Sequence, residues 1–246
     1  MNSISANLNI MIKASEKASK ILIRDFGEIE KLQVSKKSQR DFVTNADLKI
    51  EKIIIEELEK ARPNFSFISE ERGQKKNKDI ENTWIIDPID GTTNFLHGIP
   101  HFAISIGLLS FNEIVSGLIF DPIKDEIFFA EKNKGAFLNN QRIKVSKKRD
   151  INECLFAVGD NLKKEADFIN RKSGCAALDL AYVAAGRYDG YYQKKLNLWD
   201  IAAGLLLVKE AGGITNDINL NNLKNIKIIA SNSNINQEFQ KKVLNF

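Results

Sequence analysis

The 246-residue chain has only two cysteines and two histidines. Cys154 and Cys175 form no metal-like pair, which argues against a thiolate zinc site and a disulfide framework. Both are expected to be reduced and structural, in a cytoplasmic protein. His97 and His101 are too few for chemistry built on several imidazoles. Long apolar runs are also missing. None approaches the roughly 20 residues of a membrane span, so no membrane association is expected. The start, Met1 to Lys13, lacks the basic-then-apolar pattern of a secretory signal. Neither sign of charge dominates: 36 basic residues face 32 acidic ones, for a net +4. The basic clusters Lys75-Lys76, Lys147-Lys148-Arg149 and Lys194-Lys195 are short and lack interleaved aromatics. They read as solvated surface, and nucleic acid is not an expected partner.

Hydrophobic residues make up 43% of the chain and charged residues 28%, a globular composition able to bury a sizeable core. Ile4, Leu8, Met11, Ile12, Leu22 and Phe26 space an amphipathic helix over about 4–26. A second helix is expected from about Asn45 to Ala61, with Thr44 as N-cap, Asp47 in its first turn and Pro63 as its stop. Phe65–Ser69, Trp84–Asp87, Phe102–Leu109, Ile114–Asp121 and Glu126–Glu131 read as strands, with a hairpin from Ala136 to Val145 turning at Asn139-Asn140. This middle third is expected to be an antiparallel sheet. Further on, helices around Gly174–Ala185 and Asp200–Ala211, the latter closed by Gly212-Gly213, alternate with strands at Tyr188–Gln193 and Lys227–Ala230. A helix from about Ile235 ends the chain. The order implies an α/β (α+β) fold of stacked helix and sheet layers. Two tightly joined halves are expected, 1–140 and 141–246, with the break near residues 132–155.

The segment Trp84-Ile85-Ile86-Asp87-Pro88-Ile89-Asp90-Gly91-Thr92-Thr93-Asn94-Phe95 is the most informative stretch. An apolar strand ends in two aspartates three residues apart. Pro88 fixes its own backbone and biases Asp87 toward an extended form, so both carboxylates can converge on one point. Converging carboxylates repel unless a cation lies between them, and oxygen-only ligation suits magnesium. Gly91 permits close backbone approach to an anion, and the amides after it can open a short helix that attracts phosphate. Alone, Asp-x-x-Asp-Gly fits an ordinary turn equally well. Glu70-Glu71, Asp47 with Thr44, and Asp200 after Trp199 shift the balance, because each lies at an expected element end, where functional groups concentrate.

On these residues the chain resembles the inositol monophosphatase family, within the lithium-sensitive, magnesium-dependent sugar phosphatases. The resemblance runs from about residue 4 to 240. It rests on Trp84–Phe95, on Leu198-Trp199-Asp200-Ile201-Ala202-Ala203-Gly204 and on Glu210-Ala211-Gly212-Gly213. Gly174-Cys175-Ala176-Ala177-Leu178-Asp179-Leu180-Ala181-Tyr182 looks closest to bacterial members. The resemblance implies a helix–sheet–helix–sheet–helix fold and hydrolysis of a small phosphorylated polyol or sugar by metal-activated water. It implies two or three Mg2+ ions and a homodimer. Glu70, Asp87 and the carbonyl of Ile89 would hold a first metal, and Asp87, Asp90 and Asp200 a second. A weaker third ion would sit near Glu70. Gly91 and Thr92 amides would hold phosphate. Thr92, paired with Asp47, would orient the attacking water, with Lys36 and Thr44 near the site. Asp90, Ala176 and Gln193 would meet the polyol.

Two departures bear on substrate choice. The family commonly carries Glu where Gln193 stands, and the stretch from Ile151 to Ser173 is shorter than usual. Losing that charge beside Lys194 and Lys195 makes this edge friendlier to a second anionic group, as in a sugar bisphosphate. The leading expectation is inositol-phosphate phosphatase activity. The alternatives are another phosphate ester, such as fructose 1,6-bisphosphate, glycerol phosphate or a nucleotide, and a transcription- or RNA-associated binding role, as some bacterial relatives have.

Overall fold

A computed structural model describes residues 4–29, 36–160 and 168–244 of the protein, with side chains from residue 45 on in the second stretch. Helix α1 (Ala6–Ile29) and helix α2 (Lys36–Ala61) come first. α2 starts well before the expected Asn45. Lys36, Lys37, Gln39 and Arg40 are good helix formers, and no glycine or proline interrupts the run to Thr44. Thr44 therefore lies inside α2 and is not its N-cap. The helix ends just before Arg62-Pro63, where proline disfavours helical backbone in the residue preceding it.

Eight strands form the first sheet: β1 (Phe65–Ser69), β2 (Gly73–Lys75), β3 (Asp79–Asp90), β4 (Ala103–Ser110), β5 (Glu113–Asp121), β6 (Glu126–Glu131), β7 (Gly135–Leu138) and β8 (Gln141–Ile143). Their order is β2-β1-β3-β4-β5-β6-β7-β8. The sheet is antiparallel except at β1 and β3, which run parallel, a feature the strand pattern did not disclose. The β7–β8 hairpin turns at Asn139, whose φ is +51, as expected for an Asn turn. An expected division at 140/141 would cut this hairpin, because β8 still belongs to the first sheet.

A short helix α3 (Thr92–Leu96) lies between β3 and β4. The second sheet holds β9 (Leu155–Val158), β10 (Ile169–Arg171), β11 (Gly190–Leu196), β12 (Ile214–Thr215) and β13 (Ile226–Ser231), in the order β10-β9-β11-β13-β12. Between the sheets run α4 (Ala176–Ala184) and α5 (Leu198–Glu210), and α6 (Asn236–Leu244) closes the far side.

Period-two alternation sorts the strand residues into layers. Trp84 and Ile86 pack with Leu8, Met11 and Leu22 of α1 and Ile50 and Ile54 of α2, while Ile85 between them faces α4 and α5. Tyr191 and Ile228 face the same central helices, whereas Tyr192 and Ile229 pack against Phe239 and Val243 of α6. α4 and α5 are buried almost all round, which is why they are apolar on every face. α5 presses closely on the first sheet: a Cβ at Gly117 would stand 2.8 Å from the Ala203 carbonyl oxygen. The layers therefore run helix, sheet, helix, sheet, helix.

Candidate active site

Sheet register assembles the acids. In the parallel β1–β3 pair Ser69 lies opposite Ile86, and the Glu70 amide donates to the Ile86 carbonyl at 3.2 Å. The next residue after each of Ser69 and Ile86 is an acid, so Glu70 stands beside Asp87. After Asp87 the pairing with β4 slips, resuming at Asp90 opposite Ala103. That irregularity falls at Pro88, which has no N–H for a ladder. The Asp87 carboxylate accepts from the Ile89 amide at 3.0 Å.

Asp90 is pinned by the start of α4. Its Oδ2 accepts from the Ala177 amide at 2.5 Å and from Cys175 Sγ at 3.1 Å. Asp200 comes from the first turn of α5. It is the third helical residue and not the first, as expected from sequence. Asn197 is the N-cap, and its amide donates to Asp200 Oδ2 at 2.8 Å, half of a reciprocal capping box.

Gly91 caps α3 at φ +91, the left-handed region open to glycine. A Cβ there would sit 3.0 Å from the His101 carbonyl oxygen. The amides that follow begin a helix and have no carbonyl four residues back. Thr92 Oγ1 donates to the Ile89 carbonyl at 2.9 Å. Asn94 donates to the carbonyls of His101 and Ser173, at 2.8 and 2.9 Å, tying the turn to the approach to α4.

One cavity of about 400 Å³ collects these groups. Glu70, Asp87, Ile89, Asp90, Gly91, Thr92, Ala176, Gln193 and Asp200 all line it, as expected. Asp47 does not. It lies buried behind Glu70, and its Oδ1 has no hydrogen-bond partner among the described residues. The expected pairing with Thr92 is absent because the threonine hydroxyl is given to Ile89. The side chains of Lys36 and Thr44 lie outside the described residues. Neither histidine is among the lining residues.

The electrostatics are those of acids crowded without a counterion. Burial raises Glu70 to about 7, with Asp200, Glu71 and Glu51 adding to the shift. Burial and Asp200 raise Asp90 to about 7. Burial, then Glu70, Asp90 and Asp200, hold Asp87 well above the ordinary carboxylate range. Asp200 rises to about 6 by burial, against the Asn197 hydrogen bonds. Asp47 reaches about 8 through burial and the neighbouring Glu70, Glu71 and Glu51. As the side chains stand, no three acids form a closed metal cluster among the described residues. The donor set nevertheless fits a hard cation in kind: four carboxylates and a carbonyl on one cavity, all oxygen, repelling one another.

Glu51 and Lys172 were not singled out from sequence, whereas Lys195 was, as a positive charge beside Gln193. Glu51 is fully buried, and its Oε2 accepts from the Glu71 amide at 2.9 Å, holding the turn that carries Glu70. Asn197 was legible in principle, as an Asn three residues before an acid at a helix start. Lys172 carried no signal.

This layering, with acids gathered where two sheets meet, belongs to the sugar-phosphatase class of phosphoric monoester hydrolases. The chain is a member of the inositol monophosphatase family, whose model matches residues 5–245. An inositol-1-monophosphatase of Rhizobium meliloti (strain 1021) is 48% identical over 229 residues, covering 87% of this chain and 86% of its own length. A protein named Nus factor SuhB, from Xylella fastidiosa (strain Temecula1 / ATCC 700964), is 41% identical over 226 residues, 85% of this chain and 81% of its own. The crystal structure of extragenic suppressor protein suhB from Bartonella henselae matches with a TM-score of 0.88 at 43% identity, covering 98% of this chain and 100% of that one.

Proposed function

We propose that the chain removes the phosphate of a myo-inositol monophosphate, with magnesium, at the cavity of Glu70, Asp87, Asp90 and Asp200. The observation that carries this reading is the convergence of four mutually repelling carboxylates beside the Gly91–Thr93 turn. Glu70, Asp87, Asp90, Asp200 and the Ile89 carbonyl would hold two or three ions. When bound, magnesium supplies an acidified water and charge neutralisation on the leaving oxygen. The amides of Gly91 and Thr92 receive the phosphate oxygens. Glu70 and Thr92, with Asp47 behind them, would orient the attacking water. Asp90, Ala176 and Gln193 face the polyol. Resemblance alone supports a homodimer.

The test is phosphate release from inositol 1-phosphate by the purified chain, stripped with chelator and then resupplied with magnesium. Restored turnover is expected, and full turnover in the chelator sinks the proposal. The relatives named Nus factor favour a second reading, a transcription-associated role. A pulldown with RNase and high-salt controls separates the two: recovery of transcription proteins by a variant without turnover would support it.

A further inference from the structure

The second sheet brings to the cavity groups of opposite character to the acids. β9 runs parallel to both β10 and β11, so the carboxyl ends of the three strands lie together. Just past β9 stands Gly159, just past β10 stands Lys172, and the last turn of β11 carries Gln193 and Lys195. All four line the cavity. The space beyond the carboxyl ends of parallel strands is a common place for ligands in α/β sheets. The first sheet and α5 thus contribute four acids to the lining, and the second sheet contributes two lysines.

Two details give this wall a direction. Lys195 has φ +59, a left-handed backbone that a side chain with a Cβ adopts only at a cost, at the point where β11 breaks register between Gln193 and Leu196. Strain held at a cavity wall is an outlier from which a role can be inferred. Gln193 Oε1 accepts from the Tyr191 hydroxyl at 2.6 Å, which leaves the amide NH2 as the group available to a ligand. A Cβ on Gly159 would stand 1.8 Å from that Oε1, so glycine there makes room for this placement. The wall therefore presents donors and positive charge where a glutamate would present acceptors.

We propose that Lys172, Lys195 and the Gln193 amide form an anion subsite for a second negative group on the substrate, a phosphate or a carboxylate. The inference rests on the phosphatase reading and extends it, beyond inositol monophosphate, to sugar or polyol phosphates that carry such a group.

The test uses inositol 1-phosphate, fructose 1,6-bisphosphate and 3-phosphoglycerate with wild type, Lys172→Ala, Lys195→Gly and the double variant. Lys195→Gly relieves the left-handed backbone, so it should fold at least as well as wild type. The kcat/KM of either doubly anionic substrate relative to inositol 1-phosphate should fall about fivefold for each lysine removed. A loss for the bisphosphate alone assigns the subsite to phosphate, and a loss for both assigns it to anions in general. Unchanged ratios in the double variant overturn the proposal. If no variant releases phosphate from any substrate, the phosphatase reading fails on its own. The subsite is then judged by melting. It stands if fructose 1,6-bisphosphate raises the Tm of wild type more than that of the double variant, and falls if the two rises match.

Discussion

Asp90→Asn isolates what the crowded acids do to the metal-free protein. The Asp90 carboxyl is raised to about 7 by burial and by Asp200, against an ordinary aspartate value of 3.8. A raised acid adds stability that is complete below about pH 4 and lost as pH climbs through its folded value. The gap corresponds to about 4 kcal/mol at most. Sharing the repulsion among four acids, in a cavity open to solvent, reduces the part assignable to Asp90 to about 1–2 kcal/mol. Asparagine removes the charge and keeps an acceptor for the Ala177 amide, so the start of α4 stays pinned. At about 2–4 °C per kcal/mol for a chain of this size, the metal-free variant should melt about 2–8 °C above wild type at pH 8. The difference should shrink steadily below pH 7 and be nearly gone by about pH 3, where wild-type Asp90 is largely protonated in both states. Turnover should fall on the order of 100-fold or more, because an amide is a poorer ligand for a hard cation. Thermal melting at the two pH values and phosphate release on one preparation check both halves. Near-wild-type turnover in a folded variant removes Asp90 from the chemistry, and a variant that melts below wild type at pH 8 refutes the electrostatic argument.

Magnesium should raise the Tm of the chelated protein more at pH 8 than at pH 5, since the acids bind it ionised, and lithium should inhibit turnover; a pH-independent shift would deny that these acids hold the ion. Gly91→Ala should cost about 2–3 kcal/mol in denaturant unfolding and lower turnover, because φ +91 disfavours a Cβ and the His101 carbonyl is 3.0 Å from it. Asn94→Ala should cost about 1–3 kcal/mol by leaving the His101 and Ser173 carbonyls without their donor, and faster hydrogen exchange around residues 173–177 would report the loosened tie. Gln193→Glu should move preference toward inositol 1-phosphate over fructose 1,6-bisphosphate by about fivefold in kcat/KM, and an unchanged or opposite shift would remove Gln193 from substrate choice.

The legible parts of this molecule are those whose physics is contiguous along the chain. Trp84 to Phe95 carries its strand, its proline, its left-handed glycine and its amides in one stretch, so ligand type and anion turn could be read together. The buried faces were legible for the same reason, since Trp84, Ile85 and Ile86 alternate between two cores by strand geometry alone. What was hidden depends on register between distant elements. Glu70 meets Asp87 only because β1 runs parallel to β3, and no local pattern distinguishes that from an antiparallel pair. Asp47 reads as a first-turn acid if α2 starts at Asn45; with α2 starting at Lys36, it becomes a buried mid-helix acid behind Glu70. Lys172 is hidden more deeply. Lys172 and Lys195 are 23 positions apart in the chain, and the carboxyl ends of strands that pair through β9 bring them to one cavity. Lys172 therefore could not be read from its own sequence context, whereas Lys195 could be read from its place beside Gln193. Asp87 and Asp90 share one stretch of chain and so could be read together. Groups that choose among substrates need only share a cavity wall, and in this chain they come from the sheet the motif does not touch.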